Sequence, residues 1–95
     1  MKQSIFEQAI ERDQGACQEC LKAAGEVHHI VRRGYWGKNA KHRGEVVENL
    51  ISLCWLHHQG AHSKEAQARH LTLLREKHSY SYDQMPWRGL LGEAV

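Results

Sequence analysis

Residues 50–63 read LISLCWLHHQGAHS, and the order of residue types along that stretch decides the fold. Leu50-Ile51-Ser52-Leu53 is a short, largely apolar run, which predicts a buried strand. A helix is expected to begin near Cys54 and to carry His57, His58 and His62, so several metal-ligand side chains leave the end of the strand together. Upstream, GACQEC over 15–20 predicts a tight turn presenting the thiols of Cys17 and Cys20. The β-branched segment EVHHIV over 26–31, following Gly25, predicts a second short strand.

Cys17-x-x-Cys20 and Cys54-x-x-His57 are two pairs, each at the spacing that lets neighbouring side chains grip one ion. Three thiolates and one imidazole match a closed zinc tetrahedron. His57 and His58 adjoin, so either could supply the nitrogen; repetition of the x-x spacing favours His57 and leaves His58 for a second purpose. Three cysteines cannot all pair as disulfides, which fits ligation or free thiols in a reducing compartment. A chain of 95 residues also builds only a small core. A structural zinc can contribute roughly 10–16 kcal/mol of apparent binding free energy, more than such a core leaves over.

The rest of the chain frames this centre as one domain, with a hydrophobic fraction of 41% and a charged fraction of 25% that exclude disordered and collagen-like classes. No apolar run approaches the roughly 20 residues of a membrane span, and the start MKQSIFEQAIERDQ lacks the h-region of a signal peptide, so a cytoplasmic location is expected. Ser4-Ile5-Phe6-Glu7 has the form of a capping box, predicting a helix over 5–13 with Phe6, Ala9 and Ile10 on one face and Gly15 as its stop. Ser63 reads as the N-cap of a helix over 64–77, with Ala66, Leu71 and Leu74 facing inward. The remainder, holding the only proline, is expected to pack irregularly over the core.

Two features are left over. Five of the eight histidines fall in two groups, His28 and His29, then His57, His58 and His62. On a helix His58 and His62 project from one face, close enough to share a divalent ion; on the strand His28 and His29 face opposite sides, so one can join that ion while the other turns toward whatever it binds. The net charge is only +2, yet residues 32–44 hold five cations, three glycines and no acid, a basic loop.

Taken in order, C-x-x-C at Cys17 and Cys20, E-V-H-H-I over 26–30, E-N-L-I-S-L-C-x-x-H-H over 48–58 and then His62 resemble the HNH endonucleases. The resemblance covers residues 17–63. It implies an α+β, treble-clef-like ββα-metal domain, zinc-stabilised and with flanking helices. It further implies His29 as general base, His28, His58 and His62 as ligands of a catalytic divalent metal, and Asn49 as the residue that fixes the loop and the base. The nine-residue step from Asn49 to His58 is similar to that of the colicin-type branch. Many members carry Asp where this chain has His28 and Cys where it has His57. An imidazole for a carboxylate softens the catalytic site, so Mn²⁺, Ni²⁺, Co²⁺ or Zn²⁺ should compete with Mg²⁺.

The implied chemistry is DNA phosphodiester hydrolysis, leaving 3′-hydroxyl and 5′-phosphate ends. The implied setting is a bacterial or phage-infected cell, as for small members of phages and mobile elements that serve packaging, restriction or homing, with a packaging or other protein as possible partner. Arg32, Arg33, Lys38, Lys41 and Arg43 would neutralise DNA phosphates. Tyr35 or Trp36 would stack on a base, wedge into a groove or simply anchor the loop. The alternative class is a zinc-stabilised DNA-binding module without catalysis; it accounts for the cysteines and cations but gives His29, Asn49, His58 and His62 no work.

Overall fold

Ser4 Oγ accepts the Glu7 backbone N–H at 3.1 Å, and helix α1 runs from that cap over Ile5–Asp13. It ends where Gln14 turns left-handed and Gly15 follows at φ 67°. The computed structural model describes residues 3–36 and 42–92. Lys38 and Lys41 of the basic loop lie outside the described residues.

The buried face of α1 shares only Ala9 with the apolar face read from its sequence. Ala9 and Asp13 are buried, whereas Phe6 and Ile10 are 39% and 47% exposed. Electrostatics sets the rotation. Arg12 grips both oxygens of Asp13, at 2.8 and 2.9 Å, and donates to the carbonyls of Val47 and Leu50 at 2.8 and 2.6 Å. Asp13 in turn accepts the Ser52 N–H at 3.0 Å. Burial works against the Arg12 charge, but its bonds to Asp13 and Tyr80 outweigh that and raise its pKa above the ordinary value.

Strand β1, Glu26–His29, pairs antiparallel with β2, Leu50–Leu53, setting Glu26 opposite Leu53 and His29 opposite Leu50. The expected strand ran on to Val31. One more backbone bond follows, from Ile30 N–H to the Asn49 carbonyl at 2.8 Å, and then a side chain takes over: Val31 N–H donates to Asn49 Oδ1 at 3.1 Å, and Asn49 Nδ2 donates back to the Val31 carbonyl at 2.9 Å. A 3₁₀ turn over Arg33–Tyr35 then carries the chain away, and a second over Val47–Asn49 brings it back.

Helix α2 is a single turn, Trp55–His58, with Cys54 at its N-cap. The chain reverses at Gly60, φ 82°, and Ser63 Oγ caps α3, Lys64–His78, by accepting the Ala66 N–H at 3.1 Å. His62 therefore does not share a helix with His58, as the spacing had predicted, because a left-handed glycine ends that helix first. Helix α3 buries Ala66, Leu71 and Leu74 as expected, and His70 with them.

The core gathers Ile30, Val31, Ile51, Leu53, Leu71 and Leu74 under a lid of aromatic rings from the tail. Trp87, on the one-turn helix α4 (Trp87–Leu90), meets Trp36 and Tyr82 edge-on, each with ring centroids 4.9 Å apart. Its indole N–H donates to Asn49 Oδ1 at 3.0 Å, and Tyr82 donates to the Glu48 carbonyl at 2.8 Å. The result is a small mixed α/β chain around a two-stranded sheet. No helix among the described residues is long and apolar enough to cross a membrane.

Asp13→Ala leaves Arg12 buried without its partner, so urea unfolding should show a loss of about 3–5 kcal/mol. A change below about 0.5 kcal/mol, as at an ordinary surface site, would show that the pair does not anchor α1.

Candidate metal centre and adjoining histidine cluster

Cys17 and Cys20 sit on a knuckle made by the backbone itself. Cys17 N–H donates to the Lys22 carbonyl at 2.7 Å, Leu21 N–H returns to the Cys17 carbonyl at 2.7 Å, and Leu21 takes a left-handed φ of 66°. Gln18 N–H donates to the Ser52 carbonyl at 3.0 Å, which ties the knuckle to β2 just before Cys54. Cys54 and His57 then reach the same point from the start of α2.

The ligand atoms of Cys17, Cys20, Cys54 and His57 all lie within 4.8 Å of one another. His57 Nδ1 is 3.3 Å from Cys54 Sγ and 3.6 Å from Cys17 Sγ, and the sulfurs of Cys20 and Cys54 are 3.7 Å apart. Zinc bonds of about 2.3 Å to sulfur and 2.1 Å to nitrogen imply separations of roughly 3.6–3.8 Å around a tetrahedron, close to those found, so the set fits a metal such as zinc. Electrostatics agrees. Burial opposes the Cys17 thiolate, but backbone N–H groups of Cys54, Glu19 and Cys20 outweigh it and lower its pKa; the His57 N–H foremost does the same for Cys54. At Cys20 the Lys22 N–H is overcome by burial and by the other two sulfurs, which raise its pKa. A divalent cation relieves that crowding of thiolates. His57 closes the set, while His58 Nδ1 instead lies 3.3 Å from Glu26 Oε1.

A second cluster lies beside it. His28 is buried on β1, with the rings of His58 and His62 edge-on at centroid distances of 5.0 and 4.8 Å and 6.4 Å between those two. His28 Nε2 is buried and has no hydrogen-bond partner. Desolvation first, then the neighbouring imidazoles led by His62, push the His28 pKa down to about 3. Desolvation, Arg32 and His58 lower that of His62. An unpartnered imidazole nitrogen beside two further imidazoles is a donor set that a divalent cation can use. This cluster is looser than the first: among the described residues, the Cys₃His set is the group whose ligand atoms close within 4.8 Å.

His29 points to the other side of β1, as alternation predicts. Its Nε2 lies 3.0 Å from Glu45 Oε1, and its ring meets Phe6 edge-on at 5.6 Å. Among the described residues the Asn49 side chain makes its hydrogen bonds to residues other than His29. It holds Val31, two residues on, and donates to the Gly44 carbonyl at 3.0 Å, so it clamps both ends of the basic loop. Gly44, at φ 85°, has no room for a Cβ, which would stand 2.6 Å from Trp36 Nε1 and 2.7 Å from Asn49 Nδ2. Arg32, Arg33 and Arg43 are exposed on that loop.

Sequence reasoning missed Glu45, Glu26 and His70. No local pattern marks the two glutamates. His70 carried a signal: it continues the i, i+4 stripe of Ala66 and Leu74. It is fully buried with its ring centroid 6.4 Å from that of His28, and its Nε2 stands 3.2 Å from Glu19 Oε2, off hydrogen-bond alignment. Glu19, between the two knuckle cysteines, also pairs with Arg69.

No protein-family model, curated protein or solved structure matches the chain. What the fold and site define is a small mixed α/β domain with a Cys₃His group able to hold a metal such as zinc.

Metal analysis of the purified chain should find one zinc that Cys17→Ser loses together with far-UV helical signal. A folded, metal-free chain contradicts the assignment. His57→Ala should lower the melting temperature and release zinc, whereas His58→Ala should keep both fold and zinc.

Proposed function

We propose that the chain is a metal-dependent endonuclease of the HNH type, built on the ββα-metal fold, which hydrolyses DNA phosphodiester bonds. The observation that carries this reading is the convergence of His28, His58 and His62 around a buried, unpartnered imidazole nitrogen, on a hairpin whose next residue is a half-exposed histidine beside a carboxylate. The zinc-type group is structural in this reading, because four protein ligands leave no position open for substrate.

His28, His58 and His62 would hold the second cation, which, when bound, supplies stabilisation for the charge developing on the phosphate oxygens. The remaining work falls to the chain itself. A carboxylate only accepts, so Nε2 is the nitrogen that donates to Glu45, and in the neutral ring that leaves the lone pair on Nδ1. Nδ1 is then the atom that takes a proton from water as its oxygen attacks phosphorus. The P–O3′ bond breaks with its electron pair on O3′, leaving a 5′-phosphate and a 3′ oxygen that takes a proton from solvent water to become the hydroxyl, while His29 returns its proton to solvent. Asn49 keeps the loop that follows His29 closed on the core, and Arg32, Arg33 and Arg43 meet flanking phosphates, giving affinity that falls with salt.

Supercoiled plasmid incubated with the chain and Mn²⁺, Ni²⁺, Co²⁺ or Mg²⁺ should be nicked. His29→Ala, still folded and zinc-loaded, should lower the rate by roughly 10²–10⁴-fold. Wild type and variant both inert with every ion, yet both retaining DNA, would leave only a zinc-stabilised DNA-binding module.

A further inference from the structure

A cavity of about 310 Å³ opens beside His62, walled by Val31, Arg32, Tyr35, Lys64, Pro86 and Leu90. Three parts of the chain that are distant in sequence build it: the turn after β1, the start of α3 and the tail. Val31, Pro86 and Leu90 are apolar members of its wall. Arg32 and Lys64 in that wall are exposed, no acidic residue lines it, and among the described residues neither cation belongs to an ion pair.

The two adjacent aromatics of the basic loop divide their roles here. Trp36 is 6% exposed and held between His42 and Trp87, with ring centroids at 4.8 and 4.9 Å, so it anchors the loop. Tyr35 is 71% exposed and forms part of the cavity wall. An exposed aromatic residue beside apolar ones, with cations in the same wall, suits a planar group that carries anions on either side.

We propose that this cavity receives one unpaired nucleobase of single-stranded DNA, stacked on Tyr35, with Arg32 and Lys64 meeting the phosphates on either side of it. The inference rests on the reading of the histidine cluster as a phosphodiester-cleaving centre and narrows its substrate. His62 belongs both to that cluster and to the cavity wall, so the cavity takes a nucleotide next to the scissile phosphate. The volume lies at the low end of the roughly 300–1,000 Å³ of small-ligand sites, which admits a base and excludes a duplex. A paired base would have to be unstacked to enter, whereas a single-stranded one is already available. Preferred substrates are therefore DNAs with an unpaired nucleotide beside the cut.

The test is binding, measured on the full zinc-loaded chain with no other divalent ion added. The probe is a short single-stranded oligonucleotide carrying 2-aminopurine, compared with a blunt duplex of the same sequence. Tyr35→Ala should weaken single-strand binding by at least about five-fold, the lower end of what one base–aromatic stack contributes, and remove the quenching of 2-aminopurine. Tyr35→Phe should restore both, and duplex affinity should change little in either variant. Equal losses for both DNAs, or no loss for either, overturn the base site. Because nothing is cut, the result is independent of the nicking assay: stacking without nicking with any ion keeps the base site and removes the nuclease reading, and nicking without stacking does the reverse.

Discussion

One buried amide holds the middle of this molecule together. Asn49 has two donors and two acceptor lone pairs, and every one is used: Nδ2 on the carbonyls of Val31 and Gly44, Oδ1 on the N–H groups of Val31 and Trp87. These bonds reach the segment just after β1, the end of the basic loop and the C-terminal tail. Fully buried and fully satisfied, the group fixes three segments at one point; half-satisfied, it would be a liability. Loop closure, the short β1 and the docking of Trp87 follow from that single side chain.

Strand β2 transmits this order to the metal centre. Asn49 immediately precedes it and Cys54 immediately follows it, while Ser52 between them accepts from Gln18 of the knuckle and donates to Asp13 of α1. The four residues of β2 thus connect the amide, the salt-bridged helix and the thiols. The same rail sets the histidines. His28 pairs with Ile51, and the helical turn after Cys54 brings His58 alongside it. A core this small would tolerate such a load of buried polar groups poorly without the cross-link that a Cys₃His metal site provides.

Much of this was legible in the chain because it depends on neighbours in sequence. The Ser4 and Ser63 caps place the starts of α1 and α3, since a hydroxyl needs only the N–H three residues on. The apolar run over 50–53 coincides with β2, and the x-x spacing of the cysteine and histidine pairs brings four ligands together. Failures occur where a distant partner outweighs local periodicity. Arg12 and Asp13 rotate α1 away from its apolar face because they find carbonyls and an N–H on residues 47–52. His62 reaches His28 from a turn rather than a helix, and His70 arrives from α3, across the core.

The sequence by itself determined which residues are chemically able to bind metal, where the helices begin and which short runs must be buried, because caps, ligand spacing and alternation act over a few residues. Only the tertiary structure decided which of two adjacent histidines joins the thiols, which face of α1 is hidden, that Tyr35 borders an open cavity while Trp36 is locked in the core, and that the tail completes the Asn49 clamp. Each of those outcomes is set by contacts between segments tens of residues apart. Such contacts compete through burial and hydrogen-bond satisfaction, and no local pattern records which of them wins.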